Sequence, residues 1–399
     1  MSPSSSTFDR PGKAFPTVLQ LIPTLETGGA ERTTLDVAAA IVAAGGRALV
    51  VTVGGRMVEE LKASGAEVVL MPVAAKNPLV ILANARRLAG LVRDADVDIL
   101  HARSRAPAWS ALIAARLTKA AFVTTYHGAY KQANMLKALY NSSMTRADAI
   151  IANSDWTRRL IVARQPDVAD RVTVIHRGTD FAGFDRAAIA PDRIAALRAA
   201  WGVAPTARLI VNLARVTRWK GQLVLVEAAR LLAARGIGDV DLILAGDAQG
   251  RDGYVAEVEA AIAAAGLRGR IHLVGHCADP AAAMAAADVA VVASIEPEAF
   301  GRAAVEAQAL ETPVVVTDLG AVGETVIGPE QSPDGFTGWK VAAGDADSMA
   351  TALAAALALP QATRAELGAR ARAHVTARFS LRAMTDATLA VYRSLRQPA

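Results

Sequence analysis

The sequence predicts an α/β protein built from two doubly wound, parallel-sheet domains, and three observations carry that prediction. The chain has 399 residues, which fits two domains of ordinary size better than one or three. Short β-rich apolar runs alternate with longer stretches of helical periodicity, and the scheme is played through twice. The strand candidates read as continuous apolar runs, the pattern of strands covered on both faces. Alternation of strand and helix implies parallel pairing through right-handed crossovers.

In the first half, strands are expected near 17–22, 48–53, 67–71, 97–100, 122–126, 149–153 and 172–175, with helices between them such as 30–44 and 79–93. In the second half, strands near 208–213, 241–246, 270–275, 289–294 and 313–317 alternate with helices near 220–235, 254–266, 280–287 and 302–311. Residues 1–16 read as a flexible leader, because MSPSSSTFDRPGKAFP has no apolar h-region of a secretory signal. The domains are then 17–185 and 207–378. Residues 186–206, where Pro191 and Pro205 flank a short helix, read as a linker, and 379–399 as a terminal helix that packs back on the first domain.

Composition narrows the class. Apolar residues make up 53% of the chain, so both cores fill readily. One cysteine, Cys277, forbids an intrachain disulfide and suits a reducing cytoplasm. No apolar run approaches the roughly 18 residues a membrane span needs. Charge is uneven: residues 1–185 carry 22 basic and 16 acidic side chains, and 101–164 alone carry 10 and 2. A field of that sign draws an anionic surface or substrate.

In an open parallel sheet, ligands bind beyond the carboxyl ends of the strands. That rule selects the segment S-I-E-P-E-A-F-G-R-A-A-V-E, which follows the strand VAVVAS. Gly301 lets backbone approach a ligand, the helix beginning near Arg302 offers free amides to a diphosphate, Glu306 stands one turn in, within reach of ribose hydroxyls, and Glu298 lies on the loop beside a sugar. The next segment, N-L-A-R-V-T-R-W-K-G, puts Arg215 and Lys220 at the end of the first strand of the second domain. Two fixed cations stabilise a departing diphosphate more in the transition state than in the ground state. Arg218, on the same turn, is expected to face solvent. In the first domain, T-G-G-A-E-R places the Gly28–Gly29 turn after the first strand. T-T-Y-H-G places His127 at another strand end, and His101 is a lesser candidate at a third.

The segment from Ser294 through Glu298, Phe300, Gly301 and Glu306 to Ala307 resembles the E-x(7)-E region of the retaining family-4 glycosyltransferases, which share the two-domain GT-B fold. The resemblance runs from about residue 17 to about 395. It implies two Rossmann-like domains facing a cleft, with Glu298 on donor-sugar hydroxyls, Phe300 and Gly301 offering backbone amides, and Glu306 holding the ribose. It also implies that the diphosphate is held by Arg215 and Lys220, that the Gly28–Gly29 loop faces donor and acceptor, and that His127 lies against the sugar. Retention of the α configuration comes from the resemblance alone.

No cofactor or metal is expected. Asp94, Asp96 and Asp98 spell the Asp-x-Asp pattern but precede a strand, and Asp345 and Asp347 precede a helix as capping residues do. No G-x-S-x-G elbow supports a serine nucleophile. Residues 129–146 read as one amphipathic helix, with Met135, Leu136, Leu139, Tyr140 and Met144 on a stripe flanked by Lys131, Lys137 and Arg146. Basic and apolar together suit an anionic membrane surface, as does packing on the parent sheet. Arg103 and Arg105 would then meet an anionic acceptor. The expected reaction moves a hexose-type sugar from a nucleotide diphosphate sugar to a hydroxyl of a glycan or lipid-linked acceptor. Its setting is bacterial surface-glycan assembly, in the cytoplasm or on the inner face of the membrane. A sugar-nucleotide epimerase and a non-catalytic sugar-binding protein are the alternatives, and nucleic acid is not an expected partner.

Overall fold

The computed structural model describes residues 15–26, 29–128, 130 and 134–395. The chain divides into two compact units, residues 1–178 with 381–399, and residues 179–380.

The first unit is built in chain order from β1 (Thr17–Leu21), α1 (Gly29–Ala43), β2 (Arg47–Thr52), α2 (Val58–Ala63), β3 (Glu67–Leu70), α3 (Pro78–Asp94), β4 (Ile99–Ala102), α4 (Arg105–Thr118), β5 (Ala121–Tyr126), α5 (Met135–Asn141), β6 (Ala149–Ala152), α6 (Asp155–Arg164) and β7 (Val172–Val174). All pairings are parallel, and the strand order is β3-β2-β1-β4-β5-β6-β7. The apolar runs place side chains alternately on the two faces. Leu19, Leu21, Leu100 and Phe122 join Leu88 and Leu112 in one core layer, and Val18, Val50 and Val123 join Leu35 and Ile41 in the other.

The second unit continues with α7 (Pro191–Ala200), β8 (Arg208–Leu213), α8 (Gln222–Ala234), β9 (Val240–Ala245), α9 (Asp252–Ala264), β10 (Ile271–Gly275), α10 (Pro280–Ala286), β11 (Val289–Val292), α11 (Arg302–Ala309), β12 (Val314–Thr317), β13 (Trp339–Val341), α12 (Ala346–Leu357) and α13 (Gln361–Arg378). Its sheet has the order β10-β9-β8-β11-β12-β13, again parallel. Helix α14 (Leu381–Ser394) belongs to the first unit, where Met384, Leu389 and Tyr392 enter its core.

Three sequence expectations are corrected. Residues 186–206 are not a linker. Ile189, Trp201 and Val203 are core residues of the second unit, and Arg193 pairs with Asp279 at 2.8 Å. The strand β13 has no counterpart among the expected strands, because three residues are too few for a periodicity to register. The helix expected over 129–146 is shorter: α5 ends at Asn141, a 3₁₀ turn spans Ser142–Thr145, and Met144 is fully buried rather than on the outer stripe.

Candidate active site

In the second unit the strand order reverses between β8 and β11, so the loops leaving β8, β11 and β12 stand side by side at the carboxyl edge. The fold thereby brings Lys220 and Glu298, 78 residues apart, into an ion pair of 2.5 Å between Nζ and Oε1, with their side chains only 15% and 12% exposed. Ser294 Oγ donates to the same carboxylate oxygen. The Glu298 carbonyl accepts from Ala321 N at 2.8 Å, which ties this loop to the one after β12. Lys220 Nζ also lies 4.2 Å from the Trp219 ring centroid, and the Arg215 guanidinium lies 5.9 Å from it. Arg215 is exposed and reaches Gln249 Oε1 at 3.5 Å. Arg218 points outward to Glu257, 2.8 Å away.

Gly301 has φ +94°, a conformation that costs a side-chain-bearing residue about 1–2 kcal/mol, and it turns the loop into α11. The Phe300 ring is buried edge-on against Phe379 at 5.4 Å and anchors that turn. Glu306 is buried, and its Oε1 accepts from Arg302 Nη2 at 2.8 Å. Burial raises its carboxyl pKa above the ordinary value, against the pull of Arg302. Two carboxylates, Glu298 and Glu306, and three cations, Lys220, Arg215 and Arg302, therefore gather at one sheet edge, beside a helix N-terminus. Each carboxylate is an acceptor for hydroxyl groups, and the cations and free amides suit phosphate oxygens.

At the carboxyl edge of the first unit, Gly29 opens α1 and His127 follows β5. The second of these is joined by a residue the sequence reading passed over: Arg177, after β7, whose Nη2 is 3.4 Å from His127 Nδ1. The strand-end rule applied to V-T-V-I-H-R would have found it. His127 Nε2 is buried and without a hydrogen-bond partner among the described residues. Burial first, then the charges of Arg177 and Arg103, hold the pKa of His127 well below its ordinary value.

The other candidates are placed as follows. Gly28 and Lys131 lie outside the described residues. Arg103 is 2% exposed and donates to Gln20 Oε1 at 2.8 Å, so it is an interior cation rather than one facing an acceptor. His101 is likewise a core residue, bonded to Tyr392 Oη at 2.6 Å and Thr125 Oγ1 at 2.7 Å. Arg105 stacks 4.2 Å from the Tyr130 ring and donates to Asn141 at 3.0 Å. Lys137 is exposed on α5. Asp98 accepts from Thr17 N at 2.8 Å, and Asp345 caps α12.

Comparison with known proteins shows the family and the fold. The family model for Glycosyltransferase Family 4 matches residues 27–182, and that for Glycosyl transferases group 1 matches residues 194–374. A glycosyltransferase from Rickettsia africae, known by its crystal structure, is 33% identical with a TM-score of 0.88, covering 96% of this chain and all of that one. Anabaena Alr3699/HepE in complex with UDP-glucose is 25% identical with a TM-score of 0.76, over 95% of this chain and 99% of that one. The D-inositol 3-phosphate glycosyltransferase of Mycobacterium tuberculosis is 31% identical over 255 residues, or 62% of this chain; the match spans 48% of that protein's length. The chain belongs to glycosyltransferase family 4, and its two Rossmann-like units are those of the GT-B fold.

Proposed function

We propose that the protein transfers a hexose-type sugar from a nucleoside diphosphate sugar to a hydroxyl of a glycan or lipid-linked acceptor, with retention at the anomeric carbon and no metal ion. The observation that carries this reading is the cluster of Lys220, Glu298 and Ser294 beside the start of α11. Lys220 and Arg215 take the diphosphate, with the α11 amides as further donors. Glu306 accepts from the ribose hydroxyls and Glu298 from those of the sugar. As the bond from the anomeric carbon to the diphosphate oxygen breaks, the cations meet the negative charge that develops on the leaving group. The acceptor oxygen bonds to the same face of that carbon, and its proton passes to the departing phosphate. UDP is the favoured nucleotide, since Anabaena Alr3699/HepE is held in complex with UDP-glucose.

The acceptor side is read from α5. Met135, Leu136 and Leu139 are 87%, 78% and 54% exposed, with Lys137 among them, and residues of this kind suit an anionic membrane surface. Among the described residues no helix is long and apolar enough to cross a membrane. The setting that fits is the inner face of a cytoplasmic membrane during surface-glycan assembly.

Incubation with labelled UDP- and GDP-hexoses tests the reading. Sugar transfer to an added glycan or glycolipid, or slow release of free sugar that an acceptor suppresses, is the expected result. Epimerisation of the donor, or binding without turnover across the panel, overturns it.

A further inference from the structure

His127 has two ring nitrogens with different surroundings. Nδ1 faces Arg177 Nη2 at 3.4 Å, and Nε2 is buried without a partner among the described residues. A guanidinium has only N–H groups and accepts nothing. Nδ1 therefore meets Arg177 as a lone pair, the ring is neutral, and its one proton sits on Nε2. The groups facing the ring agree. Arg177 comes from the loop after β7 and Arg103 from the loop after β4, and both are cations that oppose a second proton. His101, on β4, is itself kept from protonation by burial. Tyr130, two residues beyond the neighbouring Gly128, has its hydroxyl pKa pushed up to about 12 by burial and supplies no anion.

The place of Arg177 is set by Gly29 as well. A Cβ at position 29 would stand 2.3 Å from Nη1 and 2.9 Å from Cζ of Arg177, so the guanidinium rests against the first residue of α1 because that residue has no side chain. This gives the Gly29 turn a second role, apart from any approach of backbone to substrate.

We propose that Arg177 is the positioning residue for His127: by donating to Nδ1 it fixes the tautomer with the proton on Nε2, and so makes Nε2–H a hydrogen-bond donor to an oxygen of the sugar substrate. The inference rests on His127 being the sugar-binding residue of the reaction proposed above. It accounts for a buried ring nitrogen without a hydrogen-bond partner among the described residues, a donor whose burial is unfavourable when nothing accepts from it. A neutral donor suits a sugar hydroxyl, and it adds no positive charge next to an oxocarbenium-like centre.

The test is nitrogen NMR of the full chain with ¹⁵N-labelled histidine, which separates the two neutral tautomers from imidazolium by their shifts. In the wild type His127 is expected as the Nε2–H tautomer, without protonating on titration from pH 8 to pH 6. Arg177→Met, which keeps bulk and removes the donors, is expected to give a mixture of the two neutral tautomers over that range. Gly29→Ala keeps the arginine but displaces its guanidinium, and is expected to shift the same signals in the same direction. His101, held at both nitrogens within the same sheet, is the internal standard for an intact fold in each variant. A wild-type His127 with its proton on Nδ1, or an unchanged tautomer in both variants, overturns the inference. Because this readout needs no turnover, it fails independently of the donor panel: the tautomer can be right with no transfer observed, and transfer can occur with the tautomer wrong.

Discussion

The carboxyl edges of the two sheets collect polar side chains in different ways. In the second unit the groups are paired with one another: Lys220 with Glu298, Ser294 on the same oxygen, and Arg302 with Glu306. In the first unit the corresponding edge holds His127 against a cation, with one ring nitrogen unsatisfied among the described residues. An edge with matched charges is assembled in advance, and it binds by exchanging partners. An edge with a buried neutral donor beside a cation is held in place by the fold around it. The first arrangement suits a group that brings full negative charge, such as a diphosphate. The second suits a neutral, hydroxyl-rich group.

Substitutions at the two edges should therefore separate by kind. Glu298→Ala removes the acceptor for the sugar and leaves Lys220 without its counter-ion. Turnover should fall at least about 100-fold, the scale of losing one preorganised electrostatic partner, as measured by steady-state transfer from labelled donor. A wild-type rate would break the assignment of that edge to catalysis. Lys220→Ala should weaken UDP binding by about tenfold or more, since a hydrogen bond to a charged group contributes roughly 1.5–3 kcal/mol. Arg218→Ala, two residues earlier in sequence order and directed to Glu257, should leave the UDP affinity measured by calorimetry unchanged. Equal losses in both would mean that general positive charge, not the Lys220 geometry, holds the nucleotide.

A third expectation concerns stability and belongs to the first unit. Burial lowers the pKa of both His101 and His127 from the ordinary 6.5. The unfolded chain then binds protons that the folded chain does not, so the stabilising contribution is complete above pH 6.5 and declines as pH falls from there toward the folded values, at up to about 1.4 kcal/mol per pH unit per histidine. Urea midpoints should fall from pH 7 to pH 5.5, and His127→Gln should reduce that slope. A flat profile would contradict the buried, neutral ring. The smallest effect is expected at α5. Leu136→Ser at a site 78% exposed should change stability by less than about 0.5 kcal/mol while lowering co-sedimentation with anionic vesicles. Unchanged co-sedimentation in that variant, and after neutralising Lys131, Lys137 and Arg146, would count against the membrane surface.

The same comparison explains what could be read from the chain before its fold was known. The second edge is encoded in two short stretches, 212–221 and 294–307, each crossing a strand end, so residue type and spacing together disclose it. All seven strands of the first sheet were visible as apolar runs; inner strands such as β1 and β5 are buried throughout, whereas β3 and β7 are only partly covered. The first edge is dispersed: Gly29, His127 and Arg177 follow three different strands and meet only through the order β1-β4-β5-β6-β7. Linear spacing has no signal for such a meeting. Arg103 shows the reverse error. It satisfies the strand-end rule, yet its stem turns inward to Gln20, a direction that strand position alone does not specify. The residues 186–206 looked like a linker because prolines flank a short helix, while Trp201 and Val203, which bury it in the second unit, are too few to form a period.

The central claim is that the second unit's edge receives the nucleotide diphosphate, and a crystal structure of the protein with UDP tests it most directly. The account predicts a diphosphate oxygen within hydrogen-bond distance of Lys220 Nζ, the phosphates at the start of α11, and the ribose on the Glu306 carboxylate. UDP seated away from these groups, with the Lys220–Glu298 pair unchanged and untouched, would contradict it.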